Sequence, residues 1–206
     1  MIKAVIFDID GVLIDSFEAN FKFYQDLMIL AGHRPPTPKE FQPLFHLSMI
    51  DVIKTFTKLT SDREIKRIWE MGQGKSVNHH FELLTMPKDV NEIINTLSQN
   101  YSLGIVTSRI RAYEFSGMAR LQKYFKITVS FLDTANHKPH PEPLLLAAKK
   151  LGIKPGNCVY IGDVENDAKA GKAAGMKTII YPKNKINNAD ACTTSFNKLP
   201  ELIKSL

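Results

Sequence analysis

Apolar residues along this chain fall into two rhythms. Short, nearly unbroken apolar runs occupy residues 2–7 (Ile-Lys-Ala-Val-Ile-Phe), Leu103–Thr107, Cys158–Ile161 and Thr178–Tyr181, with a weaker fifth at Ile127–Leu132. Runs of this length that stop at polar or turn residues read as buried strands. Between them, apolar residues recur every three or four positions over roughly 88–99, 111–122, 141–151 and 165–174, the spacing of helices with one buried face. Strands alternating with helices predict an α/β fold with a doubly wound parallel sheet. The stretch 16–83 breaks the alternation. It reads as helix after helix, with Pro35-Pro36-Thr37-Pro38 as a stop and restart, and its Phe, Leu, Ile and Met positions together with Trp69 read as a core of its own. The predicted organisation is therefore a core of residues 1–15 and 84–206 carrying an inserted, all-helical cap of residues 16–83.

Composition narrows the class without changing this picture. With 206 residues, 44% of them hydrophobic and 23% charged, the chain can bury a sizeable core and resembles an average soluble protein. Only two cysteines, Cys158 and Cys192, are present, which excludes a disulfide framework and a four-ligand zinc site and points to a reducing compartment. The first apolar run reaches Asp8 too early for a signal peptide, and no uncharged stretch approaches the length of a membrane span, so a cytoplasmic protein is expected. A net charge of +6 suits an anionic partner. Its lysines and arginines are spread along the chain instead of forming a basic block with interleaved aromatics, so small anions are the expected partners and nucleic acid is not.

Ligands of open parallel sheets bind where the strands end, at their carboxyl edge. Here the first run ends in Asp8 and Asp10, the second in Thr107-Ser108, and Cys158–Ile161 in Gly162-Asp163 with Asp167 following; a further loop carries Lys138. Asp8 and Asp10 are two apart in an extended segment, so both can leave on one side. Their repulsion raises one pKa, leaving Asp8 as an ionised nucleophile and Asp10 as a proton donor to a leaving oxygen. Gly11 allows a tight turn and close approach of a ligand. Hard oxygen ligands at this density suit Mg²⁺, for which the carboxylates of Asp8 and Asp163 suffice, with Asp167 supporting or holding Lys138. Phosphoryl transfer needs neutralisation of charge more than covalent ingenuity, and Mg²⁺, the Lys138 ammonium and the Thr107 hydroxyl supply it.

Four segments, Val-Ile-Phe-Asp8-Ile-Asp10-Gly-Val-Leu, Ile-Val-Thr107-Ser, Lys138-Pro-His-Pro-Glu-Pro and Ile-Gly-Asp163-Val-Glu-Asn-Asp167, occur in an order that resembles the haloacid dehalogenase-like phosphatase superfamily. Leu144-Leu145-Leu146-Ala147 and Ala173-Ala174-Gly175 look like its phosphoglycolate phosphatase-like branch. The resemblance covers the core, about two thirds of the chain. It implies a Rossmann-like core, Asp8 as nucleophile and Asp10 as acid/base. It further implies Thr107, Ser108 and Lys138 as phosphate holders, and Mg²⁺ bound through Asp8, the Asp10 carbonyl and Asp163 with Asp167 in support. The expected activity is hydrolysis of a small phosphorylated metabolite through a phospho-aspartate, by a monomer or homodimer. Two departures bear on it: Thr107-Ser108-Arg109 replaces the Thr-Asn of many relatives, and Phe45-His46-Leu47-Ser48-Met49 replaces a glycine-containing cap loop, so phosphoglycolate does not carry over as the substrate. The alternatives are a phosphomutase of the β-phosphoglucomutase type and a non-catalytic protein that binds a phosphate ligand. His137 and His140 read as loop residues, His79-His80 as surface residues of a helix, and Arg34, His33 and His46 as exposed.

Overall fold

The computed structural model describes residues 1–74 and 76–206. Six strands, β1 (Ala4–Phe7), β2 (Ser102–Val106), β3 (Phe125–Val129), β4 (Cys158–Gly162), β5 (Lys177–Ile180) and β6 (Ala191–Cys192), form one sheet. Among the described residues the α-helices are α1 (Phe17–Leu30), α2 (Pro38–Phe41), α3 (Met49–Thr57), α4 (Asp62–Gln73), α5 (Val90–Asn100), α6 (Ser116–Leu121), α7 (Glu142–Leu151), α8 (Glu165–Ala173) and α9 (Leu199–Ser205). The chain divides into two compact units, residues 1–15 with 85–206 and residues 16–84. None of these helices is long and apolar enough to cross a membrane.

The sheet is wholly parallel, in the order β3-β2-β1-β4-β5-β6. A central parallel strand is covered on both faces, which is why β1 is apolar without alternation and every one of its residues is buried. Leu144, Ala147 and Ala148 of α7 and Ala170 of α8 belong to the same buried cluster as Ala4, Ile6, Val106, Cys158 and Tyr160 of the strands, their small side chains letting helix and sheet approach. Phe7 pairs in register with Ile105 of β2 and Ile161 of β4, so the three strands stop side by side. The chain order reverses around β1, where a crevice opens between strand ends.

Unit 16–84 is helical. Ser48 and Ser61 accept the Asp51 and Glu64 N–H groups to start α3 and α4, and Thr37 with Glu40 forms a reciprocal cap on α2. Phe21, Phe23, Leu27, Phe41, Ile53, Ile65 and Ile68 form its core, and Trp69 packs against it, partly buried. The segment is joined to the first unit at a two-stranded closure: the Asp15 N–H donates to the Thr85 carbonyl (2.8 Å) and the Thr85 N–H to that of Asp15 (3.2 Å).

Three expectations need correction, and one strand, β6, was not expected. The helix predicted over 111–122 is confined to α6, because Tyr113 leaves the would-be helical face to share a hydrogen bond with Thr128 of β3 (2.8 Å) and Phe115 is extended. The weak strand predicted at Ile127–Leu132 lies earlier, as β3; the chain turns at Ser130, capped reciprocally with Asp133, and leaves Leu132 exposed. β6 has two residues, too few for a periodic signal, and is held where Asp190 accepts the Thr178 N–H (2.8 Å). His79 and His80 lie on no helix. His80 has φ +50°, and its largely buried side chain is clasped by Asp26 (2.8 Å) and Glu82 (3.1 Å), while His79 stacks on Phe23.

Candidate active site

β1 runs directly into the site. Ile9 is fully buried, and the period of an extended chain turns the flanking Asp8 and Asp10 away from it. The Asp8 N–H continues the ladder to the Ile161 carbonyl (2.9 Å), its Oδ1 accepts the Ile9 N–H (2.7 Å), and its Oδ2 accepts the Lys138 ammonium (2.7 Å). Gly11 follows with φ +75°, and a Cβ there would collide with the Asp163 carboxylate. Gly162, at the end of β4, has the same relation to the Asp167 side chain. Two missing side chains thus let acids from two strands close on one another.

Lys138 ties the cluster together. Its Nζ lies 2.7 Å from Asp8 and 2.8 Å from Asp167, and it also donates to the hydroxyl of the fully buried Tyr160 (2.9 Å). The Asp167 carboxylate is engaged on both oxygens: Oδ1 takes Lys138 and the Tyr160 hydroxyl (3.2 Å), Oδ2 the N–H groups of Asp163 (3.0 Å) and Val164 (3.2 Å). Burial would raise its pKa, but Lys138 and these hydrogen bonds hold it below the usual carboxylate value. Burial opposes the charge on Lys138 too, and the two acids outweigh it, so the ammonium stays protonated.

Asp8 and Asp163 are in the opposite condition. Burial pushes Asp8 up to about 7, against the pull of Lys138. Burial, then the neighbouring charges of Asp167 and Asp8, push Asp163 up to about 9. Oxygens of Asp8, Asp163 and Asp167 all lie within 4.8 Å of one another. Three buried carboxylates share one ammonium, an imbalance that a divalent cation would correct, so the donor set fits Mg²⁺. Asp167, already engaged on both oxygens, stands as a support, while Asp8 and Asp163 are the carboxylates suited to a cation. The Asp10 carboxylate is outside this cluster. It receives Nε of Arg109 at 2.7 Å and Nη2 at 2.8 Å. The asymmetry expected from repulsion between Asp8 and Asp10 therefore has another source: burial and separate cationic partners set these acids apart, with Asp10 the least of the influences on Asp8.

After β2, Thr107 is buried and its N–H bonds the Val129 carbonyl (3.0 Å), while its Oγ1 accepts the Arg109 N–H (3.1 Å) and shapes the turn. Ser108 at the tip of that turn is exposed. Asp8, Lys138, Asp163 and Asp167 are joined in one network, and Asp10 is linked to the β2 loop through Arg109.

The sequence model of haloacid dehalogenase-like hydrolases matches residues 5–181, most of the chain and all of these side chains. The chain belongs to the haloacid dehalogenase-like hydrolase family. It is 32% identical over 180 residues to the pyrophosphatase PpaX of Bacillus pumilus, spanning 86% of this chain and 82% of that protein. A putative phosphoglycolate phosphatase from Lactobacillus plantarum superposes with a TM-score of 0.85 at 25% identity, covering 98% of this chain and 99% of its own. A β-phosphoglucomutase from Clostridium difficile shares the fold, with a TM-score of 0.82 at 23% identity over 100% of this chain and 96% of that one.

Within this hydrolase two contributors were not singled out from the sequence. Tyr160 lies inside an apolar run and reads as a strand residue; its hydroxyl, buried among apolar neighbours and therefore in need of a partner, was the available signal. Arg109 was noted only as a departure from a family pattern, and nothing local distinguishes it from the other basic residues. His137 lies against Phe131 with ring centroids 4.0 Å apart, and His140 is exposed.

Proposed function

We propose that this enzyme is a Mg²⁺-dependent phosphatase in which Asp8 attacks the phosphorus of a small phosphorylated metabolite and carries the phosphoryl group as an acyl phosphate until water removes it. The observation that carries this reading is Lys138 shared between Asp8 and Asp167, with Asp163 in the same buried cluster. That arrangement gives a nucleophile, a fixed cation beside it and a carboxylate set for a metal. Mg²⁺, held by Asp8, Asp163 and the Asp10 main-chain carbonyl, would supply neutralisation of the phosphoryl oxygens. Lys138, the Thr107 hydroxyl and the Ser108 turn hold the phosphate, and Asp167 with Tyr160 keeps Lys138 in place. Asp10 passes a proton to the leaving oxygen and later takes one from the attacking water, for which its contact with Arg109 opens. Residues 16–84 act as the cap that chooses the substrate, a role supported by their insertion directly after β1. The name of the curated relatives puts inorganic pyrophosphate first among candidate substrates.

Phosphate release from pyrophosphate, phosphoglycolate, sugar phosphates, nucleotides and para-nitrophenyl phosphate, with Mg²⁺ and then with EDTA, tests this. Release is expected with Mg²⁺ and is lost with EDTA. Asp8→Asn, which is nearly isosteric, is expected to abolish turnover with the fold intact. A folded, active Asp8→Asn enzyme, or silence across the panel, would overturn the reading.

A further inference from the structure

Two cations stand at the catalytic edge, and they serve different acids. Lys138, with a side chain 9% exposed, contacts Asp8. Arg109, 20% exposed, grips both oxygens of Asp10 in a bidentate fork. In an in-line displacement the attacking and leaving oxygens lie on opposite sides of phosphorus. Asp8 defines the first side and Asp10, the proton donor proposed above, the second. Arg109 is therefore the cation of the leaving-group side, one hydrogen bond from the proposed proton donor.

What departs decides whether a cation there is useful. An alkoxide must collect a proton as its bond to phosphorus breaks, and for that a carboxylic acid is sufficient. A departing phosphate leaves as an anion with further charged oxygens around it. A planar guanidinium fits two such oxygens at once, where an ammonium offers a point charge.

We infer that Arg109 selects substrates whose leaving group carries further anionic oxygens beside the one that departs, a phosphoanhydride such as pyrophosphate being the simplest, by taking the oxygens of that group in the fork that otherwise holds Asp10. The inference rests on the phospho-aspartate reading above. As the bond from Asp8 to phosphorus forms, the bond from phosphorus to the bridging oxygen breaks. Its electron pair leaves on that oxygen, in the departing phosphate that Arg109 holds. Water then adds to the phosphorus of the acyl phosphate as the bond from phosphorus to Asp8 breaks, and its proton goes to Asp10 and on to solvent, so the second phosphate leaves with Asp8 and Asp10 both restored. Exchange of one bidentate anion for another keeps the guanidinium paired throughout, and it frees the Asp10 carboxylate for the water step.

Steady-state kinetics of the wild type, Arg109→Met and Arg109→Lys, with saturating Mg²⁺, on pyrophosphate and on para-nitrophenyl phosphate test this. In Arg109→Met, kcat/KM for pyrophosphate is expected to fall about 100-fold, with KM raised, as for loss of a charged bidentate contact. The aryl ester, whose leaving group carries no phosphate, is expected to lose at least about tenfold less than pyrophosphate does, and a thermal melt of the variant reports separately that it is folded. Arg109→Lys is expected to recover part of the pyrophosphate activity. Equal losses on the two substrates, or pyrophosphate cleavage unaffected by Arg109→Met, would overturn the inference. A wild type that splits the aryl ester but not pyrophosphate would overturn it too while leaving the phosphatase reading standing. A wild type that splits neither would remove that reading and this one together.

Discussion

In the unit built on the sheet, Asp8, Thr107, Asp163 and Asp167 are as hidden from solvent as the apolar core beside them. In unit 16–84, by contrast, Ser16 is the one polar or charged residue among the described residues with comparable burial, and the rest of its interior is Phe, Tyr, Leu, Ile, Met, Val and Ala with Pro36 and Gly72. Apart from the pairs of His80, its ion pairs among the described residues lie outside: Arg34 with Glu40 at 64% and 39% exposure, Lys66 with Glu70 at 74% and 58%. Burying charge costs stability unless each group is matched, so a fold retains such a cluster where chemistry requires it. The sheet unit carries that cost at one edge, and the helical unit is built from packing and helix caps. Stability and pH should therefore respond differently to changes in the two.

The largest response is expected from Lys138→Met. Without the ammonium, Asp8 and Asp167 face each other buried and unpaired, and breaking a buried pair by removing one partner costs about 3–5 kcal/mol. Urea unfolding at neutral pH should show this loss, and turnover should disappear with it. An unchanged midpoint would mean that the cluster is not the strained element of the sheet unit.

A smaller effect should appear in the untouched sequence on removing metal. Asp8 and Asp163 have folded pKa values near 7 and 9, above the ordinary 3.8, so between these values the folded protein binds more protons than the unfolded chain. Unfolding free energy then falls as pH rises through that window. Asp167, held low, acts oppositely: its contribution is present above the ordinary carboxylate value and is lost as pH falls below it. In EDTA the two raised acids should dominate, giving denaturation midpoints that decline from mildly acidic to alkaline pH. Mg²⁺ should flatten the slope. A metal-free protein with a flat profile would contradict the electrostatic imbalance assigned to the cluster.

How far each region was legible in the sequence follows from the same contrast. Strands buried on both faces leave continuous apolar runs, so β1, β2, β4 and β5 could be read directly. The residues that end them, Asp8, Thr107 and Asp163, were placed at one edge by that reading alone. Lys138 stands in a loop without periodicity, and its position beside Asp8 depends on a contact across 130 residues of sequence that no local pattern encodes. Lys138 was nevertheless singled out by the motif around it, whereas Arg109 had no such motif and its partner Asp10 lies 99 residues away. Tyr160 was hidden because its ring satisfies the strand pattern while its hydroxyl serves the site. The helix over 111–122 failed in its first half because a single side-chain bond from Tyr113 to Thr128 overrode a periodic spacing.

The smallest effect belongs to the helical unit and sharpens the contrast from its other side. His80 is the group there that most resembles the buried acidic cluster of the sheet unit, with a side chain 15% exposed and a carboxylate at each ring nitrogen. Burial would lower its pKa, but the hydrogen bonds it donates to Asp26 and Glu82, followed by their charges, raise it above the ordinary 6.5. A raised histidine stabilises the fold fully below its unfolded value and loses that contribution as pH climbs through the folded one. Its partners are 47% and 63% exposed, however, so solvent screening leaves well under about 1 kcal/mol. With Mg²⁺ present to quiet the sheet unit, wild type and His80→Gln should differ slightly in unfolding midpoint below the ordinary imidazole value of 6.5 and converge at alkaline pH. A difference as large as that for Lys138→Met would show that the helical unit also depends on a buried charge, and the division between the two units would fail.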